Sequence, residues 1–361
     1  MKEQMITIID KLYNTHSLSA EEYAMLIDGY DEEASILLAK RACQVRESIY
    51  GKDVFIRGLI EISNYCKNDC FYCGIRRSNK KCERYRLGRE EILACCEEGY
   101  ALGFRTFVLQ GGEDAFYTDA FLCELIKEIK TTYPDCAVTL SLGERGKESF
   151  RRLFEAGADR YLLRHETADE EHYASLHPIE LTLSNRLQAL KDLKEIGFQT
   201  GCGFMVGSPG QTTETLAKDL KWIEEFQPDM CGIGPFIPHH ATRFAGGEAG
   251  DVGLTCYLLS IIRLIKPNIL LPATTALATL DEMGTEKGIL AGANVVMPNL
   301  SPMSAKQKYE LYDNKAYGGS EAAKNVEELK KRMKAIGYRV VTNRGDIQET
   351  KERRGNTNGS L

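Results

Sequence analysis

Three cysteines, Cys66, Cys70 and Cys73, stand at the spacing C-x3-C-x2-C in the first quarter of the chain. Iron–sulfur clusters usually take four thiolate ligands, so three thiolates leave one iron free for another ligand. An aromatic residue, Tyr72, lies directly before the third cysteine. This pattern indicates a cluster whose open iron binds a small molecule.

Zinc and a disulfide are the alternatives for these cysteines. Zinc needs a fourth Cys or His ligand, and the nearest candidate, Cys82, lies in a stretch rich in Lys and Arg that suits it poorly. The chain begins with a polar amphipathic segment and has no run of about 18 apolar residues, so we expect neither a signal peptide nor a membrane span. The expected location is the reducing cytoplasm, where metal binding outranks disulfides.

Charge is spread along the whole chain. It has 46 Lys and Arg residues against 52 Asp and Glu residues, which gives a net charge of −6. A nucleic-acid-binding protein usually carries a concentrated basic footprint, so we expect no nucleic-acid partner. Because the charges are mixed everywhere, the sequence does not locate a docking surface for a protein partner.

Apolar runs typical of strands alternate with helical patterns from residue 54 onwards. Eight such β/α units predict a parallel (β/α)8 barrel, the TIM-barrel type of α/β fold, which uses about 250 residues as one domain. The predicted strands are 54–62, 106–110, 137–142, 160–163, 199–206, 230–234, 269–272 and 294–297, and the predicted helices are 89–101, 118–131, 146–156, 183–196, 213–226, 253–265 and 284–290.

Helical sequence flanks the predicted barrel on both sides. Residues 1–50 are expected to form helices that cover the bottom or side of the barrel, with a capping box at Ser19 and Glu22. The barrel domain is predicted over 51–342 and includes an amphipathic C-terminal helix at 324–336. Residues 343–361 are polar and lack apolar periodicity, so we expect a flexible tail.

In such a barrel the chemistry lies at the carboxyl ends of the strands. Strand 1 leads into the cysteines, and the other predicted strands also end in polar or glycine residues. Arg164 and Glu166, at the end of strand 4, point the same way on an extended chain. They suit a zwitterionic ligand, with a structural ion pair as the alternative. Arg186, early in the next helix, either reaches this rim or faces solvent.

Other polar residues at the rim also have two interpretations. Gly111 and Gly112 allow a backbone to approach a ligand or simply form a turn. The hydroxyl groups of Thr274 and Thr275 suit a small anion or a helix cap.

Two pairs of residues with ring side chains lie near the rim, and for both the simpler expectation is a structural role. Tyr309 and Tyr312 share a face of a helix-like stretch, so they pack in the core or cover an adenosine. His239 and His240 face opposite ways on an extended segment, so a shared metal with Asp229 is not expected.

Several segments resemble the radical S-adenosylmethionine (SAM) maturases of [FeFe]-hydrogenase assembly, the HydE family, in the branch that includes biotin synthase and methylornithine synthase. The likeness covers roughly residues 20–340, and the segments that carry it are 62–77, 84–86, 139–144, 157–167, 232–239, 272–276 and 292–299. The cysteine motif with its aromatic residue is specific only for the radical SAM superfamily. The segments at strands 4, 6 and 7 favour the maturase over methylornithine synthase.

The resemblance implies a [4Fe–4S] cluster and SAM as cofactors. It assigns Cys66, Cys70 and Cys73 to the cluster, with SAM on the open iron. The implied SAM contacts are Tyr72, Gly111, Gly112, Glu113, Ser141, Glu166, Arg186, Tyr309 and Tyr312. The residues implied to act in the inner cavity, where the substrate sits, are Arg164, Thr274, Thr275 and Met297.

The implied activity is cleavage of SAM to a 5′-deoxyadenosyl radical that acts on a small substrate in the barrel. In the family this substrate is a small iron–cysteine complex with carbon monoxide and cyanide, on the way to the diiron subcluster of the H-cluster. The implied partners are this iron-containing substrate or an amino-acid-like one, an electron donor such as a ferredoxin or flavodoxin, and other hydrogenase maturases.

One feature departs from part of the family, in which a second cysteine triad lies near the C-terminus. Residues 313–323 contain no cysteine, and the last cysteine is Cys256, so we expect a single cluster. The competing functions are a radical SAM mutase on a small amino acid, as in methylornithine synthase, a sulfur-inserting enzyme, and a non-catalytic iron–sulfur scaffold. Sulfur insertion needs a second cluster in the barrel, for which the strands supply no cysteines.

Overall fold

Strands and helices alternate from residue 53 onwards in the computed structural model, which describes residues 2–316 and 322–348. In chain order the strands are β1 (Asp53–Ile56), β2 (Gly58–Ser63), β3 (Thr106–Gly111), β4 (Ala137–Ser141), β5 (Arg160–Leu162), β6 (Gln199–Cys202), β7 (Met205–Val206), β8 (Met230–Cys231), β9 (Gly234–Pro235), β10 (Val295–Val296) and β11 (Arg339–Val341). The helices are α1 (Lys2–Thr15), α2 (Ala20–Asp28), α3 (Glu32–Tyr50), α4 (Arg89–Ala101), α5 (Asp119–Thr132), α6 (Lys147–Glu155), α7 (Glu170–Leu176), α8 (Leu183–Ile196), α9 (Thr213–Phe226), α10 (Val252–Ile265), α11 (Thr275–Leu280), α12 (Gly284–Leu290), α13 (Met303–Lys306) and α14 (Ala322–Ala335).

The strands form a closed parallel barrel. Strands β2, β3, β4, β5, β6 and β8 make one hydrogen-bonded sheet in that order. Parallel bridges from Met230 to Leu270 and from Pro272 to Val295 continue it to β10. Strand β10 then pairs with β1, with Phe55 opposite Val295. The predicted (β/α)8 barrel is confirmed, and its seven predicted helices agree with α4, α5, α6, α8, α9, α10 and α12 to within one residue at each end.

The first predicted strand, 54–62, is divided at Arg57. On one edge, its hydrogen bonds to the segment of β10 continue past this point. The Phe55 and Arg57 amides donate to the Asn294 and Val296 carbonyls, both at 2.9 Å. Its other edge changes neighbour, since β1 pairs with β11 and β2 pairs with β3. The sequence does not predict β11, which is a short strand in a polar segment.

The N-terminal helices lie on the side of the barrel. Helices α1 and α3 pack against α10, and α2 packs against α9. The capping box is present, because the Glu22 amide donates to Ser19 Oγ at 3.2 Å and the Ser19 amide donates to Glu22 Oε2 at 2.8 Å. Among the described residues, every helix is too short or too polar to span a bilayer.

Short elements at the barrel mouth differ from the sequence-based expectation. Helices α7, α11 and α13 are not predicted by periodicity, because each is too short to show one. The paired strands β7 and β9 lie at the ends of the predicted strands 199–206 and 230–234, which the structure divides into β6 and β7 and into β8 and β9. The prediction of a helix-like stretch around Tyr309 and Tyr312 is wrong. This stretch forms turns after α13, so these two tyrosines come from a loop.

The floor of the barrel contains two buried guanidinium groups. Alternate residues of strand 1 face the barrel axis, which places Arg57 below Leu59 and Glu61. Arg160, at the start of β5, is fully buried, and its Nη1 donates to Thr106 Oγ1 at 3.0 Å. Burial of a charged group is costly unless it is paired and hydrogen-bonded, so both arginines need acceptors at this level.

The acceptors come from the segment that the sequence predicts to be a flexible tail. Asp346 forms an ion pair with Arg160, and Arg160 Nη2 donates to the Arg344 carbonyl at 2.8 Å. Arg57 Nη2 donates to the Gly345 carbonyl at 3.4 Å. Residues 343–348 therefore close the bottom of the barrel, which differs from the expected tail, and residues 349–361 lie outside the described residues.

We expect Asp346→Asn to lower the free energy of unfolding by about 2 kcal/mol at pH 7. The physical reason is that Arg160 keeps its buried charge but loses its carboxylate partner. The effect stays below that of a fully buried pair because the Asp346 side chain is 38% exposed. Urea unfolding of the two proteins measures the difference. Asp53→Asn, which removes a surface pair with Arg339, is the matched control and should cost less than about 1 kcal/mol.

The same carboxylate should make stability depend on pH. Burial alone would raise its pKa, but the charges of Arg160 and Arg344 lower the pKa of Asp346 to about 2, from an ordinary value of 3.8. Its contribution is therefore complete above pH 3.8 and is lost as the pH falls towards 2. The stability difference between the wild type and Asp346→Asn should shrink over that range, and a constant difference would contradict the ion pair.

Candidate active site

Every residue that the sequence places in the site lines one cavity of about 320 Å³ at the carboxyl ends of the strands. These residues are Cys66, Cys70, Tyr72, Cys73, Gly111, Gly112, Glu113, Ser141, Arg164, Glu166, Arg186, Thr274, Thr275, Met297, Tyr309 and Tyr312. The structure thus brings all of them together, while the role of each one stays a prediction.

Cys66, Cys70 and Cys73 lie on an irregular loop after β2. All three are free thiols, and their sulfur atoms do not all lie within 4.8 Å of one another. A tetrahedral zinc ion, with bonds of about 2.3 Å, would hold its sulfur ligands about 3.8 Å apart. Cys82, the candidate fourth zinc ligand, lines a different pocket. The structure therefore does not hold the three sulfur atoms as close together as a zinc ion needs.

Burial raises the pKa of all three thiols. The pKa of Cys70 rises to about 12, and the pKa values of Cys66 and Cys73 lie above their ordinary value of 9.0. The other thiols and the carboxylate of Glu166 add to the effect on Cys70 and Cys73. These thiols are therefore protonated at neutral pH in the absence of iron, and binding of iron must release their protons.

Asn64, at the end of β2, holds the cysteine loop in place. Its side chain is fully buried, and Nδ2 donates to the carbonyls of Glu83 at 2.8 Å and Lys308 at 2.7 Å. Its Oδ1 accepts from the Tyr85 amide at 2.8 Å. Sequence reasoning did not assign this role to Asn64, although a polar residue directly after an apolar strand is a usable signal.

Arg84 clamps the far side of the same loop. Its Nη1 donates to the Ile75 carbonyl at 2.7 Å, and its Nη2 donates to the Arg76 carbonyl at 2.6 Å. Because two nitrogen atoms of one guanidinium bond to two successive carbonyl groups, they fix the backbone that follows Cys73. Arg84 is therefore a structural residue in the described structure, with its charge turned towards the chain.

Gly112 packs directly against the cysteine loop. A Cβ atom at this position would lie 2.2 Å from the Tyr65 carbonyl oxygen and 2.8 Å from Cys66 Cβ. The next residue, Glu113, accepts from the Lys67 amide at 2.9 Å and forms an ion pair with the Lys67 side chain at 3.0 Å. The glycine is therefore required by the approach of two loops, whatever ligand lies beyond it.

Arg164 and Glu166 both line the cavity, although they lie beyond the end of β5 at Leu162 and not on an extended strand. Arg164 Nη2 lies 3.1 Å from Glu166 Oε2, yet these two atoms and Arg164 Nε have no hydrogen-bond partner of normal geometry among the described residues. Glu166 adopts a left-handed backbone with φ of 67°. This conformation is strained for a residue with a side chain and is common at functional sites.

Arg186 reaches the rim from α8, so it does not face solvent. Its Nε forms an ion pair with Glu144 at 2.5 Å, and its Nη1 donates to the Arg164 carbonyl at 2.5 Å. Burial opposes its charge, but the neighbouring Tyr173 and Glu144 raise the pKa of Arg186 above its ordinary value. Arg186 therefore supports the backbone of strand 4 and adds a fixed positive charge to the cavity.

Thr274 and Thr275 also line the cavity. Thr274 is the N-cap residue of α11, but its hydroxyl makes no capping bond. Its Oγ1 is buried and has no hydrogen-bond partner among the described residues. The capping alternative is therefore excluded for the Thr274 side chain, and its hydroxyl is available to a ligand.

A second ion pair in the cavity is not predicted from the sequence. Glu61, fully buried on β2, pairs with Lys315 and accepts from Asn299 Nδ2 at 2.8 Å. Lys315 Nζ also donates to the Tyr309 carbonyl at 3.0 Å. Glu61 is detectable in the sequence, because it and Arg57 are the two charged residues of the apolar strand predicted over 54–62. Lys315 gives no such signal, because it lies in an irregular segment far along the chain.

The irregular segment after α13 forms a roof over the cavity. Tyr309, Leu311, Tyr312 and Lys315 from this segment line the cavity. The roof is bonded to the cysteine loop through the Gly74 amide, which donates to the Leu311 carbonyl at 2.9 Å. Because one segment contacts both the cysteine loop and the wall of strand 1, it covers the cavity from above.

His239 and His240 face the same way, which corrects the expectation that they diverge. Their rings stack with centroids 4.3 Å apart, and both approach Asp313 rather than Asp229. His239 Nδ1 accepts from the Ala241 amide at 3.0 Å, so its Nε2 carries the proton in the neutral ring. His239, His240 and Asp313 join the roof segment to the chain that follows β9.

Comparison with known proteins agrees with this geometry. The model of the Radical SAM superfamily matches residues 60–223. The [FeFe] hydrogenase maturase subunit HydE of Thermotoga maritima is 45% identical over 278 residues, which are 77% of this chain and 79% of that protein. The chain belongs to the HydE family of radical SAM proteins.

More distant relatives share the fold with the HydE family. The 3-methylornithine synthase of Methanosarcina acetivorans is 29% identical over 91% of this chain and 92% of its own. The crystal structure of methylornithine synthase (PylB) superposes with a TM-score of 0.80 at 26% identity, over 92% of this chain and 97% of the other. The maturase HydG superposes with a TM-score of 0.78 at 20% identity, over 95% of this chain and 77% of its own, which supports the barrel alone.

We expect Gly112→Ala to reduce iron and sulfide binding while the barrel stays folded. The added methyl group would meet the Tyr65 carbonyl and Cys66, and the cysteine loop is the part that can move. Metal analysis and the visible thiolate-to-iron absorbance after reconstitution measure the effect, and circular dichroism checks the fold. Gly146→Ala is the matched control, because a Cβ there meets nothing within 4 Å. Full iron content in Gly112→Ala would contradict the close packing of the two loops.

Proposed function

We propose that this chain is a radical SAM enzyme that cleaves SAM to a 5′-deoxyadenosyl radical inside the barrel, and that it serves in [FeFe]-hydrogenase maturation. The observation that carries the proposal is a cavity with three free thiols on one wall and unbonded, buried polar atoms of Arg164, Glu166 and Thr274 facing it. Buried polar atoms without partners are rare in folded proteins. A polar ligand with charged groups accounts for them.

The residues present fit the cofactors of the family. Cys66, Cys70 and Cys73, three free thiols on one wall of the cavity, would hold a [4Fe–4S] cluster. Together with SAM on the open iron, this cluster supplies the electron that breaks a carbon–sulfur bond of SAM. Some members of the family carry a second cysteine triad near the C-terminus, but the last cysteine of this sequence is Cys256. We therefore infer that the chain holds one cluster.

The protein's part is to orient SAM and exclude water. The backbone of Gly111 and Gly112 offers polar groups beside the cysteine loop, and the Glu166 carboxylate suits an ammonium group or ribose hydroxyls. Tyr309 and Tyr312, in the roof, would cover the adenosine. Such closure protects a reactive radical from side reactions with solvent.

The deeper part of the cavity suits a small substrate. Arg164 offers an unbonded guanidinium edge, Thr274 an unbonded hydroxyl, and Met297 a thioether at the wall. These groups suit a carboxylate together with a small anionic or cyanide-like ligand. We propose that the substrate is a small iron–cysteine complex that carries carbon monoxide and cyanide. The identity of 45% with the Thermotoga maritima maturase supports this choice.

A mutase on a small amino acid is the second candidate. The TM-score of 0.80 to methylornithine synthase, over nearly the full length of both chains, favours it. The higher identity to the maturase favours the first candidate. Deletion of the gene in its host separates the two, because loss of hydrogenase activity without a new amino-acid requirement supports the maturase, and the reverse phenotype supports the mutase.

Anaerobic reconstitution with iron and sulfide, followed by SAM and a reductant, tests the radical chemistry. We expect 5′-deoxyadenosine from the wild type and none from Cys66→Ala, Cys70→Ala or Cys73→Ala, each of which should also lose the visible absorbance of the cluster. Cys123→Ala, a substitution on the outer helix α5, is the control and should behave as the wild type. A fully reconstituted wild type that makes no 5′-deoxyadenosine would favour the scaffold function.

We expect Arg164→Ala to retain SAM cleavage but to lower the yield of substrate-derived product per 5′-deoxyadenosine by about 10- to 100-fold, the value of one charge-assisted hydrogen bond. Parallel quantification of both products measures this ratio. Arg164→Lys keeps the charge and should recover part of the yield. Loss of iron in Arg164→Ala would show instead that the residue supports the cluster.

A further inference from the structure

The segment that follows the cysteine loop carries a concentrated positive charge. Residues 76–89 contain seven Lys and Arg residues and one Glu, whereas the whole chain has 46 basic and 52 acidic residues. The near-even mixture of charges over the whole chain therefore includes one local basic run. The basic residues of this segment are Arg76, Arg77, Lys80, Lys81, Arg84, Arg86 and Arg89.

Some of these charges are used inside the structure. Arg84 bonds to backbone carbonyls of the cysteine loop. Arg86 holds both carboxylate oxygens of Asp114, at 2.7 and 2.9 Å. Arg89 forms an ion pair with Glu128 on α5. These three arginines are fixed by the fold, and their charges are partly neutralised.

Arg77, Lys80 and Lys81 are different, because all three are exposed. Within the described part of the chain, no carboxylate lies within ion-pair distance of any of them, and the nearby Glu83 pairs with Lys308 instead. Asp69, which pairs with Arg76 at 4.0 Å, offsets part of this charge. Three exposed cations without an ion pair on one short turn still leave the local field positive.

This turn lies directly against the cysteine loop. The Arg77 amide donates to the Asn68 carbonyl at 2.8 Å, and Asn79 Nδ2 donates to the Gly74 carbonyl at 2.7 Å. On the other side of the loop, the exposed Arg243 stacks on the Phe71 ring at 3.2 Å. The free cations thus surround the outer surface of the loop whose inner surface carries the three thiols.

We propose that Arg77, Lys80, Lys81 and Arg243 form the docking surface for an acidic one-electron carrier protein of the ferredoxin or flavodoxin class. The proposal rests on the proposed function, which needs one electron delivered to the cluster for each SAM cleaved. Electron transfer requires a short separation, and the Arg77 amide bonds directly to the loop that carries the thiols. Complementary charge steers such partners together and raises their association rate.

The redox step at this surface is a single electron transfer. The reduced carrier loses one electron, the cluster gains it, and no atom or proton needs to cross the interface. The carrier then leaves in its oxidised form. A charge-steered, weak and reversible contact suits this cycle, because each turnover needs a new carrier molecule.

The test is the charge-reversed variant Arg77→Glu/Lys80→Glu/Lys81→Glu, with a reduced flavodoxin as the donor. We expect its Kd for oxidised flavodoxin, measured by calorimetry at low salt, to rise about tenfold or more. The wild-type Kd should weaken as salt is added, and the variant should lose most of that dependence. The rate of 5′-deoxyadenosine formation with flavodoxin should fall in parallel.

A small neutral reductant, photoreduced deazaflavin, should support 5′-deoxyadenosine formation equally in both proteins, since it needs no docking surface. The control variant is Lys127→Glu/Lys191→Glu/Lys334→Glu, which makes the same change in net charge on exposed positions of the outer helices α5, α8 and α14. It should bind flavodoxin as the wild type does.

Two outcomes would overturn the proposal. One is that the charge-reversed variant keeps the wild-type flavodoxin Kd and salt dependence. If the same variant loses binding to a labelled RNA, the surface binds nucleic acid and not an electron carrier. The other is a wild type that makes no 5′-deoxyadenosine even with deazaflavin, which would overturn the proposed function and remove the need for an electron carrier. The deazaflavin arm therefore distinguishes failure of the docking surface from failure of the radical chemistry.

Discussion

The constraint on which this structure depends is the pairing of charges that face the axis of the barrel. A parallel barrel buries one side of every strand, and burial of an ion without a partner is costly. Strand 1 presents Arg57 and Glu61 to the axis, and strand 4 presents Arg160 and Arg164. The fold must supply partners for these four groups at two levels, the floor and the mouth.

The C-terminal part of the chain supplies the partners at both levels. Asp346 pairs with Arg160 at the floor, and Lys315 pairs with Glu61 at the mouth. The same stretch of chain therefore seals the bottom of the barrel and roofs its top. Because these contacts join residues more than 180 positions apart, the C-terminal region belongs to the barrel as closely as the strands do.

Several buried polar atoms of the proposed active site lack a hydrogen-bond partner among the described residues. Arg164 and Glu166 approach each other without a hydrogen bond of normal geometry, and Thr274 Oγ1 has no partner among the described residues. Glu166 also adopts a strained backbone. These open atoms lie beside three free thiols, an arrangement that suits a polar ligand. The proposed basic docking surface lies on the outside of the same thiol-bearing loop, so electron entry and ligand binding share one support.

The sequence by itself determined the cysteine spacing, the eight β/α units and the residues at each strand end. These features are local: periodicity of apolar residues specifies helices and strands, and a parallel barrel brings every strand end to one rim. That is why all of the residues predicted for the site, from Cys66 to Tyr312, line one cavity even though Tyr309 and Tyr312 lie on turns rather than on a helix.

Only the tertiary structure decided how charges and loops are paired. Lys315, Asp346, β11 and the stacked His239 and His240 occur in short or irregular segments, where no periodicity marks their direction. Their partners lie far away in the sequence, and net charge along the chain hides which cations are neutralised and which are free. Gly112 shows the same limit, since its need for glycine comes from the approach of the Tyr65 carbonyl, a contact between loops that only the folded barrel creates.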